Sequence, residues 1–199
     1  MTRFIPVLLA AVSIQAPFSA AAQAPPPARD YTAADVRFMS GMIYHHAQAV
    51  MIAGWAPTHG ADAAVRTLCE RIVAGQTDEI ALLSRWLADR HEAVPHPEPE
   101  HMMMAGMDST HVMPGMLTAA QLERLDRARG PDFDHWFLRL MIQHHQGAIT
   151  MVNQLFAASG GEEEPVYKIA TGVFADQTTE IERMQRMLAA DVFAPPSPR

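Results

Sequence analysis

A stripe of mostly apolar residues, Phe38, Met42, His45, Ala49 and Ile52, advances along the chain in steps of four, three, four and three. Side chains on that spacing share one face of an α-helix, so the segment is predicted to be amphipathic with the stripe turned inward. Thr32, with Asp35 three residues on, has the form of a capping box that starts the helix, and Pro57 and Gly60 end it. Val65, Leu68, Ile72, Gln76, Glu79, Leu83 and Trp86 form a related stripe, which predicts a second helix from Asp62 to about His91. Pro95, Pro97 and Pro99 then forbid continuation. In the second half, Thr118 caps a short helix closed by Gly130, and Pro131 suits the first turn of the next one. Its stripe is Phe137, Met141, His144, Ala148 and Met151. A Gly-Gly turn follows, and Pro165 starts a last helix through Gln177, Glu180, Ile181, Met184 and Leu188.

These stripes repeat one another. Asp35, Phe38, Met42 and His45 match Asp134, Phe137, Met141 and His144 at a constant offset of 99. The partner helices share Gln-x-x-Glu-Ile, as Gln76, Glu79 and Ile80 and as Gln177, Glu180 and Ile181. The repeat unit is therefore a helical hairpin used twice, with a period too long for a solenoid. No stretch alternates with the period of a strand. The expected fold is all-α: a four-helix bundle with one crossover, its halves at residues 32–91 and 118–191 and a linker at 92–117.

The ends have a different character. Residues 1–22 carry Arg3, an apolar run from Phe4 to Ile14 and a small-residue end at Ala20-Ala21-Ala22, the form of a cleaved secretory signal peptide. The apolar run is too short to span a bilayer, so a periplasmic or secreted protein without stable membrane insertion is expected. A Pro-rich leader at 23–31 and a Pro-rich tail at 192–199 flank the bundle. The net charge is −7, which disfavours a nucleic-acid partner. Cys69 is the only cysteine, so no intramolecular disulfide forms, and it reads as a half-buried structural residue. His59, His91 and His135 fall at helix ends or outer faces and receive no role.

The chemistry concentrates in the doubled Met-Ile-x-His-His cores, Met42 to His46 and Met141 to His145. Adjacent helical residues point about 100° apart, so each helix offers one imidazole inward, His45 or His144, and one to the flank, His46 or His145. Met42 and Met141 lie one turn earlier on the same face. Glu79 and Glu180, each three residues after a Gln, occupy the inner stripes of the other two helices. Two readings are open. In one, each Glu accepts from a His and each Gln finds a partner, and the polar layer fixes register alone. In the other, imidazole nitrogen and thioether sulfur bind a soft or borderline ion, with Gln76, Glu79, Gln177 and Glu180 orienting the imidazoles.

Between the hairpins lies a second concentration. Six of the fourteen methionines, Met102, Met103, Met104, Met107, Met113 and Met116, fall in residues 96–116 together with His101 and His111. Prolines and glycines interrupt any helix there and no apolar period exists, so a core role explains these methionines poorly. Flexible thioethers at such spacings suit Cu(I) or Ag(I), and His adds a ligand or holds Cu(II). A greasy loop gripping a partner is the alternative.

The doubled Met-Ile-x-His-His helices, their Gln-x-x-Glu-Ile partners, and the run from Met113 to Leu125 leading into Phe133 to Met151 resemble the domain of unknown function 305 family over roughly residues 31–190. The resemblance implies an exported, ferritin-like four-helix bundle, and for some members copper tolerance through Met and His. It marks Met42, His45, His46, Gln76 and Glu79, then Met141, His144, His145, Met151, Gln177 and Glu180. The copies differ in that Ile52 stands where Met151 would match, with Met51 one residue early, and Met187 replaces the counterpart of Trp86. The expected function is non-catalytic sequestration or trafficking of Cu(I), with any partner in transfer another envelope copper protein. A dinuclear oxidase is the enzymatic alternative, but such centres need four carboxylates and two Glu-x-x-His motifs, and here each half supplies one inward Glu preceded by Gln. The third possibility is an interaction module without metal.

Overall fold

A computed structural model of the chain describes residues 30–98 and 113–192, and within them five α-helices and no strand. They are α1 (Ala33–Ala53), α2 (Ala63–Asp89), α3 (Ala119–Arg127), α4 (Pro131–Ala157) and α5 (Glu164–Val192). The signal-peptide reading, most of the leader, the tail and the loop residues His101, Met102, Met103, Met104, Met107 and His111 lie outside the described residues.

The start signals act as their chemistry requires. Thr32 accepts from the Asp35 N–H while the Asp35 carboxylate accepts from Thr32 N at 2.7 Å, closing a capping box that satisfies two donors left over by the helix end. Thr118 and Gln121 close a second box on α3, Asp62 caps α2, and Pro131 fills the first turn of α4.

α1 packs along α2, α4 packs along α5, and the two hairpins meet through α1 and α4, while α2 and α5 scarcely touch. The apolar core is divided. One cluster joins the end of α1 (Ala49, Ile52) to Val65, Leu68 and Ile72 of α2, Phe133 to Met141 of α4, and Ile181 and Met184 of α5. The other joins Phe38, Met39, Met42 and Ile43 to Leu83 and Leu87, Val152 and Leu155, and Val166 and Val173. On every long helix the His, Gln and Glu positions fall between the two clusters, so the polar layer crosses the middle of the bundle.

The repeats also lock each other. Asp35 of the first accepts from Gly161 N in the turn of the second hairpin at 2.6 Å, and Asp134 of the second accepts from Asp62 N in the turn of the first at 3.0 Å. Both acceptor and donor pairs are related by the offset of 99, as an approximate two-fold arrangement demands.

Two expectations need correction. Cys69 is buried rather than half-buried, and burial first, then the Asp134 carboxylate, pushes its thiol up to about 12, so it is an inert core residue. His59, in the turn at the end of α1, receives no role from the sequence but is buried and bonded there. Its Nδ1 lies 3.0 Å from Trp55 O and its Nε2 3.0 Å from Asp126 O, pinning the α1–α2 turn against the end of α3.

Candidate metal centre

His45, His46, His144 and His145 are fully buried at the middle of the bundle. The inward pair meets across the α1–α4 contact with ring centroids 3.9 Å apart and planes tilted by 40°. The flanking pair turns to the other helices: His46 Nε2 lies 2.8 Å from Glu79 Oε2, and His145 Nε2 lies 2.6 Å from Glu180 Oε2. His45 Nε2 lies 3.1 Å from the Pro114 carbonyl oxygen.

These contacts assign protons. A carbonyl or carboxylate oxygen only accepts, so a ring nitrogen bonded to one carries the hydrogen, and on the His45 ring, held neutral by burial, Nδ1 is left with a bare lone pair. At His45 and His145 Nδ1 has no hydrogen-bond partner among the described residues, and at His46, whose Nε2 is close to Glu79 without hydrogen-bond alignment, and at His144 neither nitrogen has one. The N–H of a metal-binding imidazole is usually held by a carboxylate or backbone carbonyl in this way, which fixes the ring and leaves the other nitrogen for the ion. Burial first, and then the neighbouring His46, lowers His45 to about 3. Burial and the neighbouring His45 likewise hold His144 well below the ordinary range. Both inward rings are therefore neutral at pH 7, with lone pairs free of protons.

A purely register-setting layer would have every member satisfied. Here Gln76 and Gln177, both buried, do not find the partners expected of them: both amide atoms of Gln76 and Oε1 of Gln177 have none among the described residues. Glu79 and Glu180 sit at the edge of the layer rather than wholly inside, with side chains 17% and 19% exposed. Among the described residues no three His, Cys, Asp or Glu side chains converge as a complete coordination shell. Met42 and Met141 are fully buried one turn before the inward imidazoles.

The end of the connection closes over this layer. Met113 and Met116 do not belong to an exposed loop: Met116 is buried and Met113 is partly buried against the second apolar cluster. Met113 Sδ and Met151 Cε both approach Gly41, at 3.4 and 3.2 Å from where its Cβ would be, so these two predicted ligands are brought together beside Met42. Gln48 grips Leu117 through both ends of its amide, accepting from Leu117 N at 2.8 Å and donating to Leu117 O at 3.3 Å. Gly115, at φ 76°, presses against Gly147 of α4, where neither residue has room for a Cβ. Gln143 reaches the Gly115 carbonyl at 3.5 Å.

Sequence patterning missed these seating residues, although a signal existed. At the offset of 99, Tyr44 matches Gln143 and Gln48 matches Gly147. The two copies thus depart from each other at the positions that hold the connection, as they must if one strap crosses an otherwise symmetric centre.

Comparisons with known proteins agree with this architecture. No curated protein matches the chain in sequence. Among solved structures, a DUF305 fragment from Deinococcus radiodurans is 28% identical with a TM-score of 0.65, covering 80% of this chain and 97% of that one. A DUF305 protein from Streptomyces coelicolor is 28% identical with a TM-score of 0.66, covering 78% and 92%. CopM in its Cu(II)-bound form is 27% identical with a TM-score of 0.60, covering 78% and 95%. CopM in its Cu(I)-bound form is 22% identical with a TM-score of 0.61, covering 80% and 98%. The sequence profile of the family described as domain of unknown function DUF305 matches residues 35–188, and the chain belongs to that family.

Proposed function

We propose that this protein is a non-catalytic, exported copper-binding protein that takes up Cu(I), and also Ag(I) or Cu(II), for sequestration or transfer. The observation that carries the reading is the row of buried imidazole nitrogens, on His45, His46, His144 and His145, that have no hydrogen-bond partner among the described residues. Burying polar groups unpaired costs roughly 1–3 kcal/mol each, an expense that a bound ion offsets. The flanking thioethers of Met42, Met141, Met113 and Met151 supply soft donors, which favours Cu(I) and Ag(I) over hard cations. The similarity to CopM, seen in Cu(I)-, Cu(II)- and silver-bound forms, supports the same choice. His101, Met102, Met103, Met104, Met107 and His111 form a second, labile set in this reading, from which metal exchanges with an envelope partner.

The test is an anaerobic Cu(I) titration of the chain from Gln23 onward against a coloured competing chelator. His45→Ala with His144→Ala is expected to lose the tighter class of binding. Met102, Met103, Met104 and Met107 changed together to Leu should lose only the weaker class. Wild type competing no better than both variants would overturn the copper reading.

A further inference from the structure

A cation bound among fully buried imidazoles has to pass through the wall of the bundle. Between α2 and α5 that wall is open: the helices scarcely touch, and a cleft of about 220 Å³ lies between them. Gln76, Glu79, Asp176, Gln177 and Glu180 line it, and Arg71, which also lines it, is exposed. Gln76 is 3% exposed and Gln177 1%, yet both amide atoms of Gln76 and Oε1 of Gln177 have no hydrogen-bond partner among the described residues. Unpartnered amide groups buried behind the wall of a cleft call for a ligand, and their oxygens offer lone pairs to a cation. Burial, then the charges of Glu79 and Glu180, raises the Asp176 carboxyl, and a cation in the cleft would relieve that repulsion. Glu79 and Glu180 also face His46 and His145, so the same carboxylates border the cleft and the imidazole layer.

Resting on the copper reading above, we infer that the α2–α5 cleft is the port through which the metal cation reaches the histidine layer. Asp176 collects the ion, and the Gln76 and Gln177 oxygens pass it inward between Glu79 and Glu180. Oxygen donors hold a soft ion weakly, which suits passage rather than storage.

Gly75 makes the port testable. It lines the cleft, and a Cβ there meets nothing within 4 Å, so the side chain of Gly75→Leu starts in open space at the opening, where it narrows the cleft, and leucine is a stronger helix former than glycine. Protein loaded with Cu(I) is mixed rapidly with excess coloured chelator, and uptake is followed in the reverse experiment beside equilibrium competition. The phase to follow is the one absent from the His45→Ala, His144→Ala double variant. Gly75→Leu should slow that phase in both directions by about tenfold with affinity held within about twofold, because a blocked path slows arrival and departure alike. Asp176→Asn, which does not depend on the folding of the first variant, should slow uptake about threefold at low ionic strength, the difference fading with added salt. Unchanged rates in both variants, with copper still bound, would overturn the port and leave the copper reading standing. Weakened affinity in Asp176→Asn at an unchanged uptake rate would make the cleft part of the binding site and also overturn the port. Absence of the phase from wild type would overturn both.

Discussion

Two kinds of buried histidine coexist in this bundle. His59 Nε2 meets the Asp126 carbonyl oxygen and its Nδ1 the Thr58 hydroxyl, whereas neither nitrogen of His144, at the centre of the layer, makes an aligned hydrogen bond among the described residues. Removing a satisfied ring and removing an orphaned one should therefore differ in sign or size. In the metal-free protein, His59→Leu is expected to lower stability by about 1–3 kcal/mol, while His144→Leu should be nearly neutral or stabilising, measured by urea unfolding. The inward rings also set a pH dependence. Their folded pKa values are depressed, so on acidification the unfolded chain takes up protons that the folded chain refuses, and stability falls. The metal-free urea midpoint should drop as pH goes below about 6.5, the decline continuing toward the His45 value of about 3. The decline should flatten in a His45→Leu, His144→Leu variant. The sequence allowed the inward and flanking rings to be told apart, because 100° per residue decides it. Their lack of partners was not legible there, since it depends on which atoms other helices bring.

At the scale of elements, stripes and caps were legible almost to the residue: Thr32, Asp62 and Thr118 cap their helices, and Pro131 opens α4 as expected. The strap from Met113 to Leu117 was not, because its seat is made by glycines and a glutamine that carry no apolar period. Gly147→Ala would normally favour a helix, yet its Cβ would strike Pro114 and Gly115. It should cost about 1–3 kcal/mol by displacing the strap, while Gly75→Ala, with open space, should gain about 0.5–1 kcal/mol. Thermal unfolding of the two variants side by side checks both signs.

For the whole molecule, duplication was visible from the offset of 99, but its mechanical consequence was not. Each repeat holds the other's turn through Asp35 or Asp134, so neither hairpin is finished alone. Asp35 is buried and closes a capping box as well, so Asp35→Ala should lower stability by about 2 kcal/mol or more in urea unfolding. The locked hairpins bring two apolar clusters to the ends of the bundle and leave a polar layer between them, where the unpaired imidazoles collect. Whether copper sits in that layer is tested most directly by X-ray absorption at the copper edge of the Cu(I)-loaded protein, wild type beside His45→Ala with His144→Ala. Imidazole nitrogen together with thioether sulfur around copper in wild type, the nitrogen lost in the variant, is the expected result. A sulfur-only shell, identical in both proteins, would contradict it.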